Sequence, residues 1–149
     1  MPIHIRPATD ADDARCGEII ASANGELAER VPHARAVLED GSPLPRDGRE
    51  RLIAEVEGKA VGFVDFEPDG YIKYLFVAQR HHRRGAGSAL LAAAERAIGA
   101  PTYLSVFAVN DRALRFYMER GYRIVGGEVE EDWHGGPVVR IELRNDAPG

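Results

Sequence analysis

The chain has 149 residues, of which 44% are hydrophobic and 29% charged, values typical of one globular domain. No stretch approaches the ~20 apolar residues of a membrane helix, and the formal net charge of −5 argues against nucleic acid as the main partner. Cys16 is the single cysteine, which excludes an internal disulfide. Since the N-terminal residues also lack a signal-like apolar run, we expect a cytoplasmic protein without nucleic-acid or membrane partners.

Hydrophobic periodicity divides the chain into about six to seven strands separated by helices. The predicted strands cover residues 4–6, 52–56, 60–66, 71–77, 103–109, 122–129 and 138–143. Helical spacing follows the first strand, recurs weakly at 26–40, and then precedes and follows the strand at 103–109. The order is therefore β-α-(α)-β-β-β-α-β-α-β-β, an α/β arrangement. Residues 24–49 carry the weakest pattern of the chain.

The strand at 71–77 consists almost entirely of β-prone residues with little alternation, so we expect it to be buried on both faces. A helix joins this strand to the one at 103–109. Strand-helix-strand units place their two strands parallel to each other.

The segment after residue 77 predicts a site for a diphosphate, which we name the cradle. A basic loop at 80–84 leads to Gly85 and Gly87 at the start of a helix. A helix N-terminus presents free N–H groups and a positive dipole end, and glycines let a phosphate approach them closely. By itself this pattern also fits a simple tight turn. A Walker loop is excluded because no Lys-Ser or Lys-Thr follows, and a dinucleotide fingerprint is excluded by Leu90.

A second segment, 110–122, lies one strand after the cradle helix and reads Asn-Asp-Arg-Ala-Leu-Arg-Phe-Tyr-Met-Glu-Arg-Gly-Tyr. Together the two segments resemble the GCN5-related N-acetyltransferase (GNAT) superfamily. The acyl-CoA motif of that superfamily, Gln/Arg-x-x-Gly-x-Gly/Ala, corresponds to residues 82–87, with His82 where the family has Gln or Arg. Its next motif, Asn-x-x-Ala-x-x-Phe-Tyr-x-x-x-Gly-Phe/Tyr, is matched in full.

The resemblance covers roughly residues 60–143 and implies a single N-acetyltransferase domain spanning 1–149. The implied GNAT fold is a mixed, mostly antiparallel central sheet of about six to seven strands with helices on both faces. It further implies a splay between the strands at 71–77 and 103–109 that admits the pantetheine arm of acetyl-CoA. The arm would pair with the first of these strands like an added strand, and a backbone N–H at Val77 or its neighbour would polarise the thioester carbonyl.

The implied co-substrate is acetyl-CoA, with its pyrophosphate held by the backbone from residue 83 to residue 88. The cofactor-binding residues implied by the resemblance are Leu75, Phe76, Val77, His82, Arg83, Arg84, Gly85, Ala86, Gly87, Ser88, Asn110, Ala113, Phe116 and Tyr117. Asn110 is equally suited to cap a helix. No metal is expected, because the adjacent His81 and His82 point apart and no further ligand set accompanies them.

Tyr117 corresponds to the general acid of the family, which protonates the departing thiolate. A phenol with a pKa of ~10 suits that step, although a core tyrosine packing a helix on the sheet is the alternative. The base stays open, because the family's Glu near the start of the strand at 71–77 has no counterpart on the strand itself. Glu67, Asp69 and His134 are the candidates; otherwise they are solvated turn residues.

The favoured function is acetylation of the primary amine of a small molecule, by direct attack in a ternary complex. The acidic run at 128–132 favours a cationic amine if it reaches the cleft. An acetyltransferase for a protein N-terminus or lysine is one alternative. A non-catalytic acyl-CoA-binding or sensing module is another, since the expected carboxylate is missing from the strand. A homodimer through the final strands is also open.

Overall fold

The computed structural model of the chain describes residues 2–23, 41–82, 84–99, 101–133 and 136–146, and for 130–133 and 136–138 it describes the backbone alone. The strands are β1 (His4–Pro7), β2 (Glu50–Val56), β3 (Lys59–Phe66), β4 (Ile72–Val77), β5 (Thr102–Phe107), β6 (Arg123–Trp133) and β7 (Gly136–Asn145). The helices in these ranges are α1 (Asp13–Ala23), α2 (Ala86–Ile98) and α3 (Asp111–Met118), and none is long and apolar enough to cross a membrane. The predicted α/β class is confirmed, while the weak helical pattern at 26–40 lies outside the described residues.

Two antiparallel sheets carry the strands, one in the order β1-β2-β3-β4 and the other in the order β5-β7-β6. They are joined by a parallel bridge between Tyr71 and Tyr103, where the Tyr103 N–H donates to the Gly70 carbonyl at 3.0 Å. In the described part of the chain, β4 and β5 form no further pair beyond this bridge. The two strands therefore diverge, as the predicted splay requires, and we name the bridged side the closed end and the Val77 side the open end.

Helices cover both faces of the four-stranded sheet, as predicted. Because side chains alternate along a strand, neighbouring residues of β2 belong to different clusters. Ile53 packs with Cys16 and Ile19 of α1, whereas Ala54 packs with Leu90 of α2. All of these side chains are fully buried, so the helices are fixed to the sheet by apolar packing on either side.

The strand at 71–77 packs on both faces, as expected, but it is less buried than expected. Only Ile72 is buried in β4, and the residues after it are half-buried or exposed. The reason is that β4 becomes an edge strand once β5 diverges, so its outer side has no neighbouring strand. Tyr74 and Phe76 lean toward the α1 cluster, and Leu75 and Val77 toward the α2 cluster.

A buried ion pair fastens β2 to β3 beneath α1. Arg51 donates to both carboxylate oxygens of Asp65, at 2.6 and 2.8 Å, and neither side chain is exposed. Arg51 also donates to the Leu44 carbonyl at 2.9 Å, and Arg49 donates to Asp65 at 3.0 Å. Because an unpaired buried charge is costly, this full set of partners holds the segment before β2 against the sheet. Arg49 in turn lies over the ring of Tyr74 in β4, 5.1 Å from its centroid.

Candidate functional site

The outer side of β4 carries backbone groups that face the splay. The Ala78 N–H donates to the Val61 carbonyl at 2.8 Å, so Ala78 forms a hydrogen-bonded pair with the strand β3. Because such pairs alternate along an antiparallel ladder, Leu75 and Val77 direct their N–H and C=O groups away from β3. An extended ligand that enters the open end would meet these groups as a neighbouring strand does.

His82 already occupies one of these groups. Its Nε2 lies 2.7 Å from the Val77 carbonyl oxygen, which only accepts, so the ring carries a proton on Nε2. Nδ1 faces the Arg112 guanidinium at 3.5 Å. The residue that departs from the family motif therefore ties the loop after β4 to the end of that strand. The N–H groups of Leu75 and Val77 are not affected by this contact.

The loop after β4 delivers the chain to the N-terminus of α2. Residues Gln79–His81 form a 3-10 turn, and Gly85 takes the N-cap position with φ of 89° and ψ of −4°, a left-handed conformation that glycine adopts without strain. No described side chain caps this helix, so the N–H groups of its first turn stay available. Arg84 is exposed beside them, whereas Arg83 lies outside the described residues. This geometry suits a diphosphate.

Helix α3 begins at Asn110, whose side chain caps it. The Asn110 Oδ1 accepts the Ala113 N–H at 3.2 Å, so the capping role expected for this residue is observed. The contact with CoA expected for the same side chain stays a prediction. Phe116, further along α3, lies across the first turn of α2, and a Cβ added to Gly87 would lie 3.5 Å from its ring.

Arg120 is a residue of this region that the sequence motifs did not single out. Its guanidinium stacks on the ring of Phe116, 3.8 Å from the centroid, and donates to the Ser88 Oγ at 2.6 and 3.1 Å. It therefore connects α3 to the first turn of α2. The available sequence signal was an arginine two residues before the tyrosine that ends the second motif, together with the serine that directly follows the first motif. Only the fold brings these two segments together.

Tyr117 lies in the core next to this junction. Its ring makes edge contacts with Phe116 and Tyr122, at centroid distances of 5.2 and 5.5 Å. Burial raises the pKa of Tyr117 well above the ordinary value for a phenol. Because of this raised pKa, the hydroxyl stays protonated at neutral pH. It makes no hydrogen bond to the described residues. Both roles expected for Tyr117, a proton donor and a packing residue, are compatible with this environment.

Two base candidates lie at the closed end. Asp69 accepts the Tyr103 hydroxyl at 2.8 Å and the Tyr71 N–H at 3.1 Å, and the hydrogen bond with Asp69 raises the pKa of Tyr103. The Tyr71 and Tyr103 rings pack at 5.3 Å. Glu67 bonds to Tyr71 only through its backbone N–H, at 2.8 Å, and its half-buried carboxylate has no partner among the described residues. His134, the third candidate, lies outside the described residues.

The chain thus brings most of the predicted cofactor-binding residues to one place. The backbone or side chains that meet around the open end belong to Leu75, Val77, His82, Arg84, Gly85, Ala86, Gly87, Ser88, Ala113, Phe116 and Tyr117. Phe76 differs, because it pairs with Phe63 of β3 and its ring packs against that residue at 6.0 Å. No group of three or more metal-binding side chains occurs among the described residues.

Comparison with known proteins gives one consistent family. The model of the acetyltransferase (GNAT) family matches residues 12–122. A peptidyl-lysine N-acetyltransferase of Escherichia coli K12 is 32% identical over 90 residues, 58% of this chain and 61% of the relative. A phosphinothricin N-acetyltransferase of Streptomyces viridochromogenes is 30% identical over 156 residues, 89% of this chain and 84% of the relative. The chain therefore spans less than two thirds of the first relative and most of the second.

Solved structures share the fold over nearly the whole chain. A GCN5-related N-acetyltransferase from Rhodopseudomonas palustris superposes with a TM-score of 0.83 at 20% identity, covering 99% of this chain and 97% of that one. The PaiA N-acetyltransferase of Thermoplasma acidophilum, solved in complex with coenzyme A, gives 0.73 at 15% identity, with 99% and 100% covered. At such identities the likeness concerns the fold, and the predicted fold is confirmed.

Proposed function

The chain belongs to the acetyltransferase (GNAT) family, and we propose that it transfers the acetyl group of acetyl-CoA to the primary amine of a small molecule. The prediction of an acyltransferase is confirmed at the level of the family. The observation that best supports the proposal for this chain is the open end of the splay. There the outward backbone groups of β4 lie beside a helix N-terminus that no described side chain caps.

The residues at the open end fit the two polar parts of acetyl-CoA. The N–H groups of α2 and the exposed Arg84 would hold the diphosphate, since a helix N-terminus favours negative charge. Of the two outward N–H groups, those of Leu75 and Val77, one would bond to an amide carbonyl of the pantetheine arm. The Val77 carbonyl, whose oxygen has two lone pairs, would accept from the arm beside the donor of His82. Arg120 would keep Ser88 and α3 aligned on the other side.

Acetyl-CoA supplies an acyl group activated as a thioester. One of the two outward N–H groups of β4, that of Leu75 or that of Val77, polarises the acyl carbonyl, since a fixed backbone donor stabilises the negative charge that develops on that oxygen. Tyr117 donates its phenolic proton to the sulfur as the carbon–sulfur bond breaks. A deprotonated amine supplies the electron pair for the new carbon–nitrogen bond, and attack takes place directly in a ternary complex.

A base at the closed end removes the proton from the incoming ammonium. We favour Glu67 over Asp69, because Asp69 is engaged by the Tyr103 hydroxyl and the Tyr71 N–H, whereas the Glu67 carboxylate has no partner among the described residues. His134 is the remaining candidate. These carboxylates also favour a cationic acceptor, as does the acidic run at 128–132 if it reaches the cleft.

The proposal is tested by release of the CoA thiol from acetyl-CoA against a panel of amines, amino acids, polyamines and peptides. We expect release with one class of amine and a decrease in kcat on the order of 10²- to 10⁴-fold in Tyr117→Phe, because a general acid is lost. Tyr122→Phe is the matched control, since it also removes a buried hydroxyl, one that bonds to Glu95 and Thr102 instead. Equal kcat in the two variants would rule out Tyr117 as the acid.

Acetylation of a protein lysine is the second candidate function. It is favoured by the 32% identity over 90 residues with a peptidyl-lysine N-acetyltransferase. In the same panel, release with lysine peptides but not with free amines would select it. A sensing module would bind acetyl-CoA saturably without release from any acceptor, and it is retained because β4 carries no carboxylate.

A homodimer through the final strands also stays a prediction. Ile124, Val125 and Val129 of β6 are 45–54% exposed, an apolar surface that a second copy could cover. Sedimentation equilibrium of the chain with Val129→Glu as the comparison would test it.

A further inference from the structure

A cavity of about 630 Å³ lies at the end of the four-stranded sheet opposite the closed end of the splay. It is bordered by α1, by the hairpin between β2 and β3, and by the turn Gln79–His81 that follows β4, and it is partly open to solvent. None of its described lining residues belongs to α2, although Arg80 and His81 belong to the basic loop that leads to that helix. The family motifs do not account for it.

The lining of this cavity is rich in positive charge. Arg15 of α1, Lys59 of the hairpin and Arg80 of the turn face a single carboxylate, Glu57. Lys59 and Arg80 have no ion-pair partner among the described residues, and Arg15 pairs only with the exposed Glu18, at 3.4 Å. Uncompensated cations gathered around one cavity, in a chain of net charge −5, favour a bound anion.

His81 also lines this cavity, and its Nδ1 is buried with no hydrogen-bond partner among the described residues. Because Nδ1 is inaccessible to solvent, it does not itself contact a ligand in the cavity. Burial lowers the pKa of His81, and the nearby Arg84, Arg80 and Arg15 lower it further, so the ring is neutral near pH 7. A bound anion would offset the influence of those cations and favour the positively charged form of the ring.

We propose that this cavity binds a compact polyanion bearing phosphate or carboxylate groups, with Lys59 and Arg80 as the charged contacts and His81 as a ring that becomes positively charged beside the anion. Occupancy would also fix the turn Gln79–His81, which is followed at once by His82 on the Val77 carbonyl. The ligand would therefore alter the affinity of the open end for acetyl-CoA. This coupling rests on the proposed function, whereas the anion site itself does not.

The anion has two chemical sources. A free metabolite with two or more anionic groups is one, and the 3′-phosphate of CoA itself is the other. The cavity wall formed by α1 and the hairpin lies away from α2, which favours the free anion. The experiment is arranged so that the two sources give different results.

Binding of inorganic pyrophosphate to the full chain is measured first, by isothermal titration calorimetry. In Lys59→Gln/Arg80→Gln we expect the affinity to fall on the order of tenfold or more, because two charge-assisted contacts are removed. Arg96→Gln is the matched control, since it removes an exposed arginine near the other end of α2, and its affinity should equal that of the native chain. Equal affinities in all three, or no binding to any, would overturn the proposal.

The titration is then repeated with saturating CoA and with saturating 3′-dephospho-CoA. Continued binding in both cases supports a free anion, and displacement by CoA alone supports the 3′-phosphate in the same cavity. Displacement by both would show that pyrophosphate occupies the cradle, and the proposal would fail. If neither coenzyme binds, the proposed function fails. The affinity of Lys59→Gln/Arg80→Gln for pyrophosphate then still tests whether the cavity binds an anion.

The role of His81 is tested with sulfate, which does not titrate in this range. We expect sulfate to bind roughly threefold to tenfold more tightly at pH 6 than at pH 8, because protonation of His81 adds a positive charge beside Arg15, Glu57, Lys59, Arg80 and Arg84. His81→Phe should bind sulfate with the same affinity at both pH values. An equally steep pH dependence in His81→Phe would remove His81 from the site.

Discussion

The two ends of the splay between β4 and β5 use their backbone groups in opposite ways. At the closed end the Tyr103 N–H bonds to Gly70, and the Tyr103 hydroxyl bonds to Asp69. At the open end the outer groups of β4 meet only the ring of His82 among the described residues. A sheet that is joined at one end and unpaired at the other provides a slot for an extended ligand. The apolar clusters that stabilise the domain lie beside this slot and are not interrupted by it.

The largest effect is expected for the proposed base at the closed end. Glu67→Gln should lower kcat on the order of 10²- to 10⁴-fold, because the amide cannot accept the proton of the ammonium. Asp69→Asn should change kcat less, since that carboxylate already accepts two hydrogen bonds in the turn. Steady-state kinetics with the acceptor found in the panel would measure both. The reverse order would make Asp69 the base, and two fully active variants would leave His134.

Gly70→Ala tests the closed end as a structural joint. A Cβ on Gly70 would lie 2.4 Å from the Pro101 carbonyl oxygen, and the φ of 112° is unfavourable for alanine. We expect the free energy of unfolding to fall by roughly 2–5 kcal/mol, from backbone strain together with the clash. Urea denaturation would measure it.

Gly58→Ala is the control for Gly70→Ala. Gly58 also has a positive φ, 78°, in the hairpin between β2 and β3, but a Cβ there would meet nothing within 4 Å. Its loss should be limited to the conformational cost, about 1 kcal/mol. Similar losses in the two variants would contradict the view that the approach of Gly70 to Pro101 holds the two sheets together.

The pH dependence of stability reports on three buried groups beside the slot that stay protonated in the folded chain. They are the thiol of Cys16 and the hydroxyls of Tyr117 and Tyr122. Burial raises the pKa of Cys16 to about 12 and raises those of Tyr117 and Tyr122. Since the unfolded values are ~8.5 for Cys and ~10 for Tyr, the stability from these groups is complete below pH ~8.5 and is lost as the pH rises toward the folded values.

The free energy of unfolding should therefore be about 4 kcal/mol lower at pH 10.5 than at pH 8, of which about 2.5 kcal/mol comes from the Cys16 thiol. Urea denaturation at a series of pH values would measure the slope. Cys16→Ala should flatten it below pH 10, where the tyrosines contribute little. An unchanged slope in Cys16→Ala would show that other groups govern alkaline unfolding.

The smallest effect is expected at the open end, from His82→Gln. Glutamine can donate to the Val77 carbonyl as His82 does, so the KM for acetyl-CoA should change by less than about threefold. His82→Ala removes the donor and should change KM by a factor of about two to ten. Larger changes in His82→Gln would show that the imidazole itself contacts the coenzyme.

The features that depend on neighbouring residues, including the cradle at the open end, could be predicted from local sequence. The cradle depends on a strand, a loop and a helix that follow one another, so the spacing of Gly85 and Gly87 was sufficient to locate it. The hairpin between the strands predicted at 52–56 and 60–66 is local in the same way, and both of its turn residues, Glu57 and Gly58, have positive φ.

Features that depend on distant segments could not be predicted. The burial of β4 was overestimated because the residues of a strand do not state whether the next strand pairs with it. The engagement of Asp69 depends on Tyr103, 34 residues away, and the Arg120 contact depends on Ser88, 32 residues away. The buried pair of Arg51 and Asp65 also lies within strands whose apolar neighbours suggest an uncharged core.

Cys16 has a practical consequence for every experiment on catalysis by this chain. It is the single cysteine, fully buried, with a thiol that stays protonated at the pH of ordinary assays. A thiol-detecting dye therefore reacts with the liberated coenzyme and not with the folded enzyme. Once the chain unfolds, one further equivalent per molecule becomes reactive. The thiol of Cys16 can therefore report the fraction of unfolded chain in the same assay that measures the release of CoA.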